Sequence, residues 1–279
     1  YSRRYAETIK HVEDVLGRHI ARSAFGIGAA PETRRRAIGD GHSTLQTSQD
    51  IRECLAIGIV EVHSQAFDRD HVTSRARIVD DADRALRHEF DLLGSGPKTI
   101  VDATRPVVDG YRPIDWNVDP ILGLQFPTGF PHKTWNPTMR PGLADIKWPW
   151  EIGRCQHWVT LGQAYRLTRD ERYAMEIVRQ HGDFVAVNPM GIGVQFVCTM
   201  DVAIRAYNWA IAFDLIRESS SFKGEAAARA YRSLFEVGQF IIAHLENTYE
   251  VTSNHFLSNV VGLWFLGEEH KAAKLPQKT

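Results

Sequence analysis

A chain of 279 residues with 43% hydrophobic and 24% charged residues is long enough for one large core or two modest ones, which excludes a disordered segment. Its formal net charge of −1 gives no global positive field, so nucleic-acid binding lacks electrostatic support and a polyanion would need a locally basic cleft. The longest largely apolar stretch, Phe256 to Gly267, is interrupted by Ser258 and Asn259 and is too short to span a membrane.

In chain order, Tyr1-Ser2-Arg3-Arg4-Tyr5 resembles neither a start nor a signal peptide, so the natural N-terminus is expected to lie upstream. Spaced apolar positions such as Ile51, Leu55, Ile59 and Val62 predict amphipathic helices over 5–24, 46–66 and 71–92, within an N-terminal helical segment of residues 1–96. Nine of the twelve prolines then fall between Pro97 and Pro149, together with Trp116, Trp135, Trp148 and Trp150. Residues 97–148 read as an ordered, aromatic-rich crossing segment. From 149 to 279 the pattern predicts helices at 149–167, 170–186, 200–217, 224–247 and 253–266, joined by short connections that include Asn188-Pro189 and a turn at Gly191-Ile192-Gly193. Short connections imply antiparallel neighbours, and only Val194 to Cys198 passes as a strand. The fold class is all-α.

Helical wheels separate two kinds of helix. The segment 200–217 is apolar almost all round except for a stripe of Asp201, Arg205 and Asn208, so it is expected to be buried with that stripe facing something polar. In 149–167, Trp150, Arg154 and His157 share one face, with Glu151 and Trp158 at its edge. The segment 170–186 instead carries the charges of an outer, solvated helix. Alternating inner and outer helices stack into a curved layer around a central cleft.

Cys54, Cys155 and Cys198 lie far apart, without a CxxC or a histidine at metal-ligand spacing beside them, and the histidines form no HxxxH or HExxH array. Buried free thiols are expected, with no metal and no cofactor.

Several polar residues invite chemistry. Asn254 and His255 lie in the first turn of the last helix if Thr252 or Ser253 caps it, where free N–H groups and the helix dipole favour an anion. They also suit a plain cap packed on Tyr249. Asp201 and Arg205 are an i,i+4 pair, read both as an ion pair that orders a buried helix and as a held guanidinium with donors left for a sugar carboxylate. Asn208 extends that line. Lys147, Trp150, Arg154 and His157 mix flat rings with cationic donors, which suits acidic sugar rings as well as core tryptophans with snorkelling bases.

Separated motifs then converge. Phe90-Asp91-Leu92-Leu93-Gly94-Ser95-Gly96, Ile114-Asp115-Trp116, Asp145-Ile146-Lys147, Trp150 through His157, Asn188-Pro189, Met200 through Trp209 and Ser253-Asn254-His255-Phe256-Leu257 together resemble the N-terminal domain of the heparinase II/III and alginate-lyase superfamily. The resemblance covers about residues 85–267, and no nameable motif is found in the first 84 residues. It implies an incomplete α/α toroid that stops before the family's C-terminal β-sandwich, which would be a missing partner domain of the same protein. It also implies β-elimination on an acidic, uronate-containing polysaccharide and a periplasmic or secreted location. In this light Asn254 and His255 neutralise the uronate carboxyl group, while Lys147, Trp150, Arg154, His157, Gln195, Asp201, Arg205 and Asn208 line the substrate cleft. The acid and base, a later Tyr and a His of the sandwich, would lie beyond Thr279. Gln195-Phe196 stands where the family has Asn-Trp, and Phe256 where Tyr is common. Two other readings stay open: a toroidal glycoside hydrolase using Glu151 and Asp201, and a non-catalytic acidic-polysaccharide-binding protein.

Overall fold

The computed structural model describes residues 71–246 and 254–274, with side chains from 75 to 246 and from 254 to 267. The helices expected over 5–24 and 46–66, together with Cys54, Tyr249, Thr252 and Ser253, lie outside the described residues. A boundary between two units falls after Ser74, and nearly all described residues belong to the second, Arg75–Thr279.

The helices are α1 (His71–Leu86), α2 (Lys147–Gly153), α3 (Gln156–Thr168), α4 (Glu171–Val187), α5 (Thr199–Ile216), α6 (Gly224–Ala243) and α7 (Asn254–Lys274). Between α1 and α2 run two antiparallel ribbons of two strands each, β1 (Glu89–Asp91) with β2 (Pro97–Thr99) and β3 (Val118–Asp119) with β4 (Leu124–Gln125). Among the described residues there is no closed sheet, and the all-α class expected from the sequence holds.

The layering follows from patterning. α5, apolar on nearly every side, sits at the centre and packs against α3, α6 and α7. α4 and α6, each with one apolar face, cover α3 and α5 respectively. An inner row of α3, α5 and α7 with outer helices α4 and α6 is consistent with a toroid-like domain. Trp158 of α3 stacks on Trp209 of α5 at 5.5 Å between ring centres, and Phe213 and Phe184 close around them. Gly262 sets how near α7 comes, because a Cβ there would lie 2.9 Å from the Ala203 carbonyl oxygen. No described helix is long and apolar enough to cross a membrane.

The crossing segment is ordered by carboxylates. Asp183 of α4 accepts hydrogen bonds from the Ile114 N–H (3.0 Å), the Trp116 indole (2.9 Å), the Tyr111 hydroxyl (2.9 Å) and Arg105. Asp119 likewise takes the N–H groups of Ile121, Leu122 and Asp145. Proline removes backbone donors and sheet pairing, so side-chain acceptors take over the role of a ladder.

Three sequence expectations are corrected. The helix predicted over 149–167 is broken: α2 ends at Gly153, Cys155 turns left-handed at φ 55°, and α3 starts at Gln156. Val194–Phe196 is a buried 3₁₀ turn, not a strand, since Gly193 at φ 80° turns the chain and buried Gln195 is held from the side. The first described helix stops at Leu86 instead of running to 92, where His88 at φ 55° leads into β1.

Candidate functional site

The break between α2 and α3 leaves backbone carbonyls without helical partners, and the polar stripe of α5 meets them. Arg205 donates its Nε–H to the Gly153 carbonyl at 2.6 Å, and Asn208 donates its amide to the Arg154 carbonyl at 2.9 Å. The Arg205 Nη2 bonds both the Gln195 carbonyl (2.9 Å) and the Gln195 Oε1 (2.8 Å), while the Gln195 amide reaches the carbonyls of Trp116 and Pro149. The guanidinium lies over the rings of Phe184 and Phe196, 4.6 and 5.4 Å from their centres.

Arg205, Gln195 and Asp201 are each fully buried, and Asn208 nearly so. The expectation that they line a substrate cleft is therefore corrected: they tie the broken helix to α5. Burial lowers the Arg205 pKa to about 10, which leaves it charged at neutral pH. The expected Asp201–Arg205 pair is also replaced. Asp201 Oδ1 accepts from Arg154 Nε at 2.7 Å, and Arg154 Nη1 pairs with Glu151. Arg154 remains 21% exposed at its side chain, so it alone among these residues of the stripe and break offers a cationic edge.

His157 is turned inward. Its Nε2 lies 2.7 Å from Gln180 Oε1, which also takes the Trp158 indole N–H. Gln180 in turn bonds Glu176, and Glu176 lies 2.7 Å from His88 Nε2. Burial lowers the His157 pKa to about 4, so it is a neutral member of a packed network and not the cation expected in the cleft. It also borders a cavity of 310 Å³ whose lining includes Asp81, Glu89, Asp91 and Glu151 as well as Arg84. Four carboxylates make that cavity unsuited to a polyanion. Trp150 donates its indole N–H to the Val194 carbonyl at 2.8 Å, and Lys147 is exposed at the start of α2 with its backbone N–H bonded to Asp145.

Asn254 and His255 occupy the first two positions of α7. Asn254 is exposed, with its amide 3.9 Å from the Met200 sulfur; the His255 side chain is 40% exposed. The His255 Nδ1 lies 3.2 Å from Glu246 Oε1 and 4.0 Å from the Cys198 sulfur. Cys198 is the N-cap of α5, so the N-termini of α5 and α7 meet here and their partial positive charges add. Asp201, one turn into α5, links this end to Arg154. Arg154 is thus connected to the N-terminal end of α5 through Asp201, and Arg205 is not part of that connection. Sequence reasoning missed Glu246, which follows α6 and is fastened by Asn259: its N–H reaches Asn259 Oδ1 at 2.8 Å, and the Asn259 amide approaches its Oε2 at 3.4 Å. No motif spacing joins residues 198, 246 and 255.

A heparin-sulfate lyase of Bacteroides stercoris is 33% identical to this chain over 73 residues, which are 23% of this chain and 11% of that protein. The match therefore spans about a tenth of the relative's length. No solved structure matches the chain. The family model described as heparinase II/III N-terminus matches residues 57–274, across the break, the central helix and the Asn254–His255 turn, and the chain belongs to that family.

Proposed function

We propose that the protein acts as a polysaccharide lyase on uronic-acid-containing polysaccharide, with Asn254 and His255 neutralising the uronate carboxyl group. A base removes the C5 proton, the electron pair forms the C4–C5 double bond, and the C4–O bond breaks with protonation of the leaving oxygen. Charge that develops on the carboxyl group during proton removal is stabilised by donors aimed at it, each contributing about 2.7–4 kcal/mol. The observation that carries this reading is the exposed Asn254 beside half-open His255 where two helix N-termini converge. Backbone N–H groups and dipoles favour an anion at that point. Base and acid are assigned to groups outside the described residues, and a periplasmic or secreted location belongs to the same proposal.

The hydrolase reading is disfavoured by Arg154, which bonds both Glu151 and Asp201, leaving neither carboxylate free as a general acid. The test is incubation of the full-length protein with alginate, a heparin-like glycan and a bacterial exopolysaccharide, followed by the ultraviolet absorbance of unsaturated uronide. Absorbance growth with at least one polymer is expected. New reducing ends without absorbance, or binding without cleavage, would overturn the proposal.

A further inference from the structure

Cys198, Glu246 and His255 come from three separate segments, the N-cap of α5, the stretch after α6 and the first turn of α7, yet their ligand atoms lie within 4.8 Å of one another. The sulfur is 3.8 Å from Glu246 Oε1 and 4.0 Å from His255 Nδ1, and those two atoms are 3.2 Å apart. Zinc bonds of about 2.3 Å to sulfur and about 2.0–2.2 Å to nitrogen and oxygen, at tetrahedral angles, give edges of roughly 3.5 Å to sulfur and roughly 3.3 Å between nitrogen and oxygen. The triangle already has that shape, with the sulfur needing to close by a few tenths of an ångström.

We infer that Cys198, Glu246 and His255 form a three-ligand site for a zinc-class divalent cation, with the fourth position open.

Charge supports it. Glu151 and Asp201 share Arg154, whereas Glu246 has no Lys or Arg partner among the described residues. The two cysteines also differ: Cys155 packs in the apolar core with its thiol donating to the Gly153 carbonyl, while Cys198 turns its sulfur toward a carboxylate and an imidazole. Asn259 bonds Glu246 through both backbone and side chain, the kind of outer support that orients a ligating carboxylate. The side chains of His255 and Glu246 are 40% and 27% exposed, which leaves room for a water or a substrate oxygen.

The histidine's tautomer gives the site a purpose. If His255 Nδ1 merely donates to Glu246, a neutral ring presents a bare lone pair at Nε2, the wrong polarity for a carboxylate. A cation on Nδ1 leaves the ring proton on Nε2, which becomes the donor that the uronate needs; this last step alone rests on the proposed function. Burial, with the carboxylates of Asp201 and Glu246, holds the Cys198 thiol well above its ordinary pKa, so binding displaces one proton from sulfur to solvent.

The full-length protein, loaded with zinc and freed of loosely bound ions over a weak chelator, is expected to retain one zinc per chain by elemental analysis. Retention should fall at least tenfold in Cys198→Ser and Glu246→Gln and persist in Cys155→Ser. Cobalt loading should add a near-ultraviolet thiolate charge-transfer band that Cys198→Ser abolishes. X-ray absorption of the zinc-loaded wild type, which needs no variant to fold, should show one sulfur among nitrogen and oxygen donors. Failure to retain zinc, a shell without sulfur, or a band that survives Cys198→Ser would overturn the site. All these readouts are made without substrate, so their failure is separate from failure of the elimination assay.

Discussion

Arg205 donates its Nε–H to the Gly153 carbonyl at 2.6 Å, which makes an arginine inside α5 the cap of α2. Replacing it with Met would leave both Gln195 oxygens without that donor and the Gly153 carbonyl with only the weak Cys155 thiol. At about 1–3 kcal/mol for each orphaned buried acceptor, Arg205→Met should lower unfolding free energy by roughly 3 kcal/mol or more. Arg205→Lys should rescue little, since an ammonium cannot fork to two segments. Urea midpoints measure this, and unchanged midpoints would return Arg205 to a substrate role.

Gly153 carries the other half of that joint. A Cβ there would fall 1.9 Å from Gln195 Oε1, the atom that accepts from Arg205. Gly153→Ala therefore has to push Gln195 off its bonds to Trp116 and Pro149, at a cost of about 1–3 kcal/mol for overpacking. Differential scanning calorimetry should show a lower Tm, and the double variant with Gln195→Ala should lose less than the sum of the two singles.

These two residues also mark where the sequence was legible. The helix periods of α4 and α5, and the single polar stripe of α5, follow from apolar spacing, and the stripe does face something polar. What it faces could not be read, because the break at Arg154–Cys155 has no proline or glycine after it and Cys155 adopts a conformation that its residue type disfavours. The alternation of Val194, Phe196 and Cys198 fits a strand as well as a buried turn, and only tertiary bonds to Gln195 decide. Asn254 and His255 were visible as an adjacent pair at a helix start. Glu246 was not, since its partners are 9 and 48 residues away and no local pattern encodes that meeting.

Acid should unfold the domain through its buried imidazoles. Burial lowers His157 to about 4 and His181 to about 3, against an ordinary value of 6.5. Between those values the unfolded chain binds protons that the folded one refuses, so stability is fully present above about pH 6.5 and falls as pH drops toward 4. Each residue should contribute a slope of about 1.4 kcal/mol per pH unit in that window. His181 Nε2 is buried without a hydrogen-bond partner, so His181→Phe should leave stability at pH 7 nearly unchanged and remove one share of the slope. Denaturation midpoints from pH 7 to pH 4.5 report it, and an unaltered slope would show that His181 is not titrating on unfolding.

Asn254→Asp separates the helix from the chemistry. The substitution keeps the shape of the side chain but places a negative charge at the first position of α7, where the dipole welcomes it by about 0.3–1 kcal/mol. A role confined to packing or capping therefore predicts equal or greater stability and unchanged turnover. A role in neutralising the uronate predicts the same stability with a loss of kcat, because a carboxylate facing the substrate carboxylate repels the charge that an amide would stabilise. Losing one such donor costs about 10²–10³-fold in kcat, and Asn254→Ala should fall in that range with a midpoint shift within about 0.5 kcal/mol because the side chain is exposed. Asn254→Asp should be at least as inactive as Asn254→Ala while melting no lower. If it instead turns over like the wild type, the amide does not meet the substrate's charge, and the anion-binding role passes to the backbone N–H groups of the two helix ends.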